Sequence, residues 1–95
     1  MPEMRFTVLW PDGSRDSCYS PSLVIKDYLV PGQSYPVDAF VAKAAEALTV
    51  ASERVKARYG FPCSLALGQL RDIRAAAARQ PRAPDAAVLV EAFEE

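Results

Sequence analysis

The sequence predicts an α+β domain in which an N-terminal β-hairpin and a C-terminal strand form a three-stranded, mainly antiparallel sheet packed against a long antiparallel helical hairpin. Three observations predict it. Apolar residues alternate with period two from Met4 to Trp10 and run into the turn Trp10-Pro11-Asp12-Gly13. Apolar residues then recur at spacings of three and four from Val37 to Tyr59, and again from Cys63 to Ala77. The chain closes on the continuously apolar run Val88-Leu89-Val90. At 95 residues, 51% hydrophobic and 24% charged, residues 1–95 have the size and composition of one packed domain.

In the first hairpin, proline presets φ in the turn, and Gly13 can take the left-handed conformation that starts the return. Ser14 to Tyr19 is the returning strand. If Trp10 lies opposite Ser14, Phe6 faces Cys18 and the cysteine shares the apolar face. Residues 21–29 read two ways. Ser20 as cap with Pro21 at the first position suggests a two-turn helix, whereas the β-branched pair Val24-Ile25 suggests an extended segment. The helix is favoured. Pro31-Gly32 ends it as a turn, and Tyr35 before Pro36 is extended.

The long helix places Val37, Phe40, Val41, Ala44, Leu48, Ala51, Val55 and Tyr59 on one stripe, with Val50 beside Ala47 on a second, weaker face. Gly60 stands where a left-handed cap belongs, and Phe61 is placed to fold back on the last turn. About 23 residues at 1.5 Å each make a rod of roughly 35 Å, long enough to span the molecule. The connector Phe61-Pro62-Cys63-Ser64 is short, so the next helix returns antiparallel. Ser64 is its expected N-cap. Its inner stripe is Cys63, Ala66, Leu67, Leu70, Ile73 and Ala77. The alanines Ala75 to Ala78 have little to bury, and Gln80-Pro81-Arg82-Ala83-Pro84 is a stiff polar connector. The closing strand, Ala86 to Phe93, is too apolar for a free edge and is expected to pair with the first strand.

Composition excludes more than it assigns. There is no histidine, which removes the usual general base, proton shuttle and commonest metal ligand. Two cysteines are too few for a disulfide scaffold or a four-thiolate metal site. No phosphate loop, metal spacing or cofactor motif is present, so no catalytic residue, metal or cofactor is assigned. The net charge of −1 and the absence of a basic patch with interleaved aromatics argue against nucleic acid. No apolar run approaches the ~20 residues of a membrane span, and the N-terminus lacks a secretory pattern, so the expected location is cytoplasmic.

Three features remain. Residues 54–82 hold seven basic residues and one acid, Asp72. They are either helix-terminal cations complementing the macrodipole or a site for a small anionic ligand. Cys63, at the start of the second helix, is either a reactive thiol favoured by free backbone N–H groups or a filler of the helical turn under Phe61. Cys18 is either its redox partner or a small buried hydrophobe. Tyr19, Lys26, Tyr28 and Tyr35 surround the irregular 20–35 segment and, with Val50 and Arg54, make up the candidate partner or ligand surface.

The stretches MRFTVLWPDG, CYSPSLVIKDYL, PGQSYPVDAFV and ALTVASERVKARYGFPCSLALGQL resemble the small bacterial nitrogen-starvation response proteins encoded in nitrilase gene clusters. The resemblance covers residues 1–73, with CYSPS, ASERV and YGF followed by Cys-Ser as its specific strings. It implies neighbours that include a nitrilase-type hydrolase, a radical-SAM enzyme, a flavin oxidoreductase and an acetyltransferase, in the assimilation of nitrogen from nitriles or cyanide. It transfers no catalytic residue. The first expectation is therefore a non-enzymatic accessory protein that binds an enzyme of that pathway and is able to form a homodimer. A thiol-dependent role centred on Cys63, or anion binding by residues 54–82, is the alternative.

Overall fold

Alternation of apolar and polar residues builds the first hairpin, β1 (Met4–Leu9) and β2 (Arg15–Ser20). A computed structural model describes residues 3–95; the reading of the N-terminus as lacking a secretory pattern falls partly on residues 1 and 2, outside that range. The turn closes as its chemistry requires. The Gly13 N–H donates to the Trp10 carbonyl at 2.9 Å, and Gly13 takes φ +89°. The Asp12 carboxylate accepts from the Ser14 N–H and hydroxyl at 3.0 and 2.6 Å. Phe6 lies opposite Cys18, as the register argument expects, and Met4, Phe6, Val8, Trp10 and Cys18 are all buried.

After the hairpin comes a short 3-10 helix, Leu23–Asp27. The segment is helical but shorter than two turns, and its cap is Ser22 instead of Ser20. The Ser22 side chain accepts from the Val24 N–H, while Val24 and Ile25 are buried. The β-branched pair thus drives burial without extending the backbone. The turn at Pro31-Gly32 forms with Gly32 at φ +88°.

The expectation of three strands is corrected to four. Ser34–Pro36 forms a short strand, β3, and β4 (Ala87–Glu94) runs between β1 and β3, giving the order β2-β1-β4-β3 with every neighbour antiparallel. A three-residue strand ending in proline carries no alternation to read. Its partner explains why Val88 and Val90 are apolar: β4 is central. The register shifts between Thr7 and Val8, where Glu91 is the extra residue on β4, and this pairs Phe93 with Phe6, on the same core-facing side of the sheet.

α1 (Val37–Tyr59) and α2 (Ser64–Ala78) are unequal arms joined by residues 60–63. Gly60 caps α1 at φ +90°, its N–H bonded to the Lys56 carbonyl at 2.8 Å. Phe40, Ala44, Ala47 and Leu48 are buried in one core with β1, β4 and Leu70, Ile73 and Ala76 of α2, and Ala51 is buried further along the same helix. Ala47 therefore belongs to the core, and Val50 beside it is half-buried. Trp10 meets Phe40 edge-on, centroids 5.5 Å apart, and its indole N–H donates to Asp16 at 2.8 Å.

Two stripe assignments, the placement of Phe61 and the cap of α2 are corrected. Tyr59 is 55% exposed because α1, roughly 35 Å long, outruns strands of six to eight residues. Leu67 is 45% exposed because the buried face of α2 turns toward Ala76, leaving Leu67 about 100° round from Ala66 on the other flank. Phe61 does not fold back; it is 68% exposed. The N-cap of α2 is Cys63 instead of Ser64, with no side-chain capping bond. The molecule measures 42 × 22 × 17 Å.

Candidate functional site

The three strings CYSPS, ASERV and YGFPCS meet at one joint. In CYSPS, the Ser20 hydroxyl donates to the Ser22 carbonyl at 2.7 Å, and Ser20, Pro21 and Ser22 are buried. From ASERV on α1, Arg54 Nη1 donates to Ser22 Oγ at 3.1 Å, tying the long helix to the cap of the 3-10 helix. Two residues earlier, buried Ser52 accepts the Cys63 N–H at 3.2 Å, tying the start of α2 back to α1. Among the described residues no buried side-chain polar atom lacks a partner. Polar groups arranged in this way fix geometry, since leaving one unpaired costs about 1 to 3 kcal/mol.

The joint sets the position of the hairpin tip beyond it. Tyr59, Phe61 and Leu65 are 55%, 68% and 66% exposed, and Leu67 flanks the same first turn of α2. Exposed large apolar residues gathered at one end of a small protein mark an interaction surface more often than isolated ones do. Along the chain, the charge from residue 54 to residue 71 has one sign. Arg54, Lys56, Arg58 and Arg71 are the charged residues from 54 to 71, with no carboxylate among them. The Arg58 guanidinium lies 5.7 Å from the centre of the Tyr59 ring.

The sequence candidates do not assemble into one cluster. Tyr19 and Tyr35 stand on β2 and β3, the two opposite edges of the sheet. The Tyr19 hydroxyl donates to Glu3 at 3.0 Å, and its ring lies under Arg5 at 6.0 Å. Burial, then the bond to Glu3, pushes this phenol up to about 12. The Tyr19 N–H, on the outer side of β2, is taken by Gln69 of α2 at 3.0 Å. The Tyr35 hydroxyl accepts the Val30 N–H at 3.0 Å, and Lys43 sits 5.8 Å over its ring. Lys26 pairs with Glu95 at 3.0 Å, and Tyr28 packs half-buried on the core. Each has a local structural partner, and only Arg54 belongs to the joint.

Both cysteines are free thiols. Cys18 is 1% exposed, and burial, with the Asp16 carboxylate next in effect, pushes its thiol up to about 12. It is a core thiol. Cys63 is half-buried against the core, beside exposed Phe61 instead of beneath it. Among the described residues no group of three His, Cys, Asp or Glu side chains is placed to hold a metal ion, and no helix is long and apolar enough to cross a membrane.

Sequence reasoning missed Ser52 and Gln80. Gln80 is 8% exposed; its side chain accepts the Asp12 N–H at 3.1 Å and donates to the Ala76 carbonyl at 2.9 Å, pinning the end of α2 to the first hairpin turn. A serine lying one residue beside Ala51 on the apolar stripe was the available signal for Ser52, since a polar group on that side needs a partner. Gln80 carried none, as its partner Asp12 lies 68 residues away.

No curated protein and no solved structure matches this chain. The model of one family, described as nitrogen starvation-induced protein NitG, matches residues 5–93, nearly the whole of the sheet and both helices. The domain built around this joint thus belongs, over nearly its whole length, to the nitrogen starvation-induced protein NitG family.

Proposed function

We propose that this nitrogen starvation-induced protein acts without catalysis, as an accessory protein that docks its helical-hairpin tip onto a partner protein. The observation that carries the reading is the tip itself. Tyr59, Phe61 and Leu65 are exposed together at the end of a hairpin held by Ser52 and Arg54, among cations with no carboxylate from residue 54 to 71. Preorganised apolar groups bind with little ordering cost, and aromatic residues carry much of the energy in such contacts. The occupant that fits is an apolar groove rimmed by carboxylates on another protein. Following the resemblance to proteins of nitrilase gene clusters, the partner is an enzyme of that cluster, and the context is nitrogen assimilation from nitriles or cyanide.

Purified protein titrated calorimetrically against the cluster's nitrilase-type hydrolase, radical-SAM enzyme, flavin oxidoreductase and acetyltransferase tests the reading. One of them is expected to bind, with affinity falling as salt is raised. The double variant Phe61→Ser/Leu65→Ser is expected to bind at least about tenfold more weakly with its circular dichroism unchanged, because both side chains are exposed. No binding to any of the four, or undiminished binding by the variant, overturns it. A wild-type dimer that the same substitutions dissociate also overturns it, by making a second copy the occupant.

A further inference from the structure

The two helices differ in length, and the difference leaves a cleft at the end of the molecule opposite the tip. α1 has 23 residues and α2 has 15. At 1.5 Å per residue, about 12 Å of α1 therefore has no helical neighbour. The connector after α2 crosses this gap, enclosing a half-open cleft of about 830 Å³ between the first turns of α1, the last turn of α2 and residues 80–86. Its floor is apolar: Val37, Val41, Ala45 and Ala77 line it, and each is packed against the core with part of its surface left open. The walls are stiff. Pro81 and Pro84 restrict the connector, and buried Gln80 pins it through Ala76 and Asp12.

The charged residues lining the cleft are Arg74, Arg82 and Asp38. Among the described residues, neither Arg74 nor Arg82 makes a hydrogen bond to a side chain or an ion pair, whereas Arg15, Lys26 and Arg71 each pair with a carboxylate. Asp38 lies in the first turn of α1, where a carboxylate complements the helix dipole. Pro36 supplies no side-chain cap to that helix. Planar guanidinium groups match a carboxylate through paired hydrogen bonds. The volume falls in the range of small-molecule sites.

We propose that this cleft binds a small organic monocarboxylate, its apolar body on Val37, Val41 and Ala77 and its carboxylate on Arg74 and Arg82. The site is independent of the docking tip, and the structure divides the basic segment between the two: Arg54, Lys56 and Arg58 go to one end, Arg74 and Arg82 to the other.

Phenylacetate is the probe, followed by amide NMR shifts of the full-length protein at concentrations up to about 10 mM. The expected result is saturable shifts confined to residues 36–45 and 74–86. Arg74→Gln and Arg82→Gln are each expected to weaken binding about tenfold, and the neutral isostere 2-phenylacetamide to bind at least about tenfold more weakly than the acid. Both arginines are solvent-exposed, so the variants keep the wild-type spectrum elsewhere. Absence of shifts at about 10 mM overturns the proposal, as do shifts centred outside the cleft or equal binding of acid and amide. Inorganic phosphate binding as tightly as phenylacetate overturns it too, because the apolar floor would then contribute nothing. None of these outcomes bears on the tip.

Discussion

At the scale of single residues, polar side chains on apolar surfaces decide the geometry. Ser52 lies among the buried residues of α1, and Ser22 caps the 3-10 helix; each holds a neighbouring element by one bond. Their roles were hidden because a hydroxyl's partner is set by folding and not by spacing. Cys18 was legible, since its register opposite Phe6 follows from the turn. Its chemistry gives a pH prediction. Burial first and Asp16 second raise the Cys18 thiol from 9.0 to about 12, so the folded value lies above the unfolded one. The stability it contributes is fully present below about pH 9 and is lost as pH rises toward about 12. The urea midpoint of the wild type is therefore expected to fall more steeply between about pH 8 and about pH 10.5 than that of Cys18→Ala. Tyr19, raised in the same direction, is common to both proteins and cancels. Equal slopes would mean that Cys18 is already solvated in the fold.

Among the elements, α1 was the most legible and its environment the least. Its 23 residues and its left-handed stop at Gly60 follow from periodicity and cap chemistry. A cap in that conformation carries a specific cost. No atom lies within 4 Å of the place a Cβ would take at Gly60, so Gly60→Ala meets only the backbone penalty of φ +90°. The expected loss is about 1 to 2 kcal/mol, read from chemical denaturation, with Gly60→Asn losing less. Where α1 goes beyond the sheet, periodicity gave the wrong environment for Tyr59, because a stripe continues whether or not something remains to cover it. The same holds on α2, where Leu67 shares the apolar spacing but not the buried face. Helix lengths were readable separately. Their difference, which opens the cleft, became meaningful only when the arms lay side by side.

Across the whole molecule, stability and the proposed contacts occupy different regions. The core runs through β4, where Val90 is fully buried between β1 and β3. Val90→Ala is expected to cost about 2 to 3 kcal/mol in urea unfolding, whereas Leu65→Ala at the exposed tip stays within about 0.5 kcal/mol of wild type. A comparable loss at Leu65 would show that the tip is packed in solution. By itself the sequence determined the α+β class, the first hairpin and its register, the two helices and the pairing of the last strand with the first. All of these rest on periodicity and turn chemistry, which act between residues close in the chain. The tertiary structure alone decided that β3 joins the sheet, that Ser22, Arg54, Ser52 and Cys63 form one joint, and which apolar residues stay uncovered. Those outcomes depend on what distant segments bring alongside, and a side chain's exposure is set by its neighbours in space.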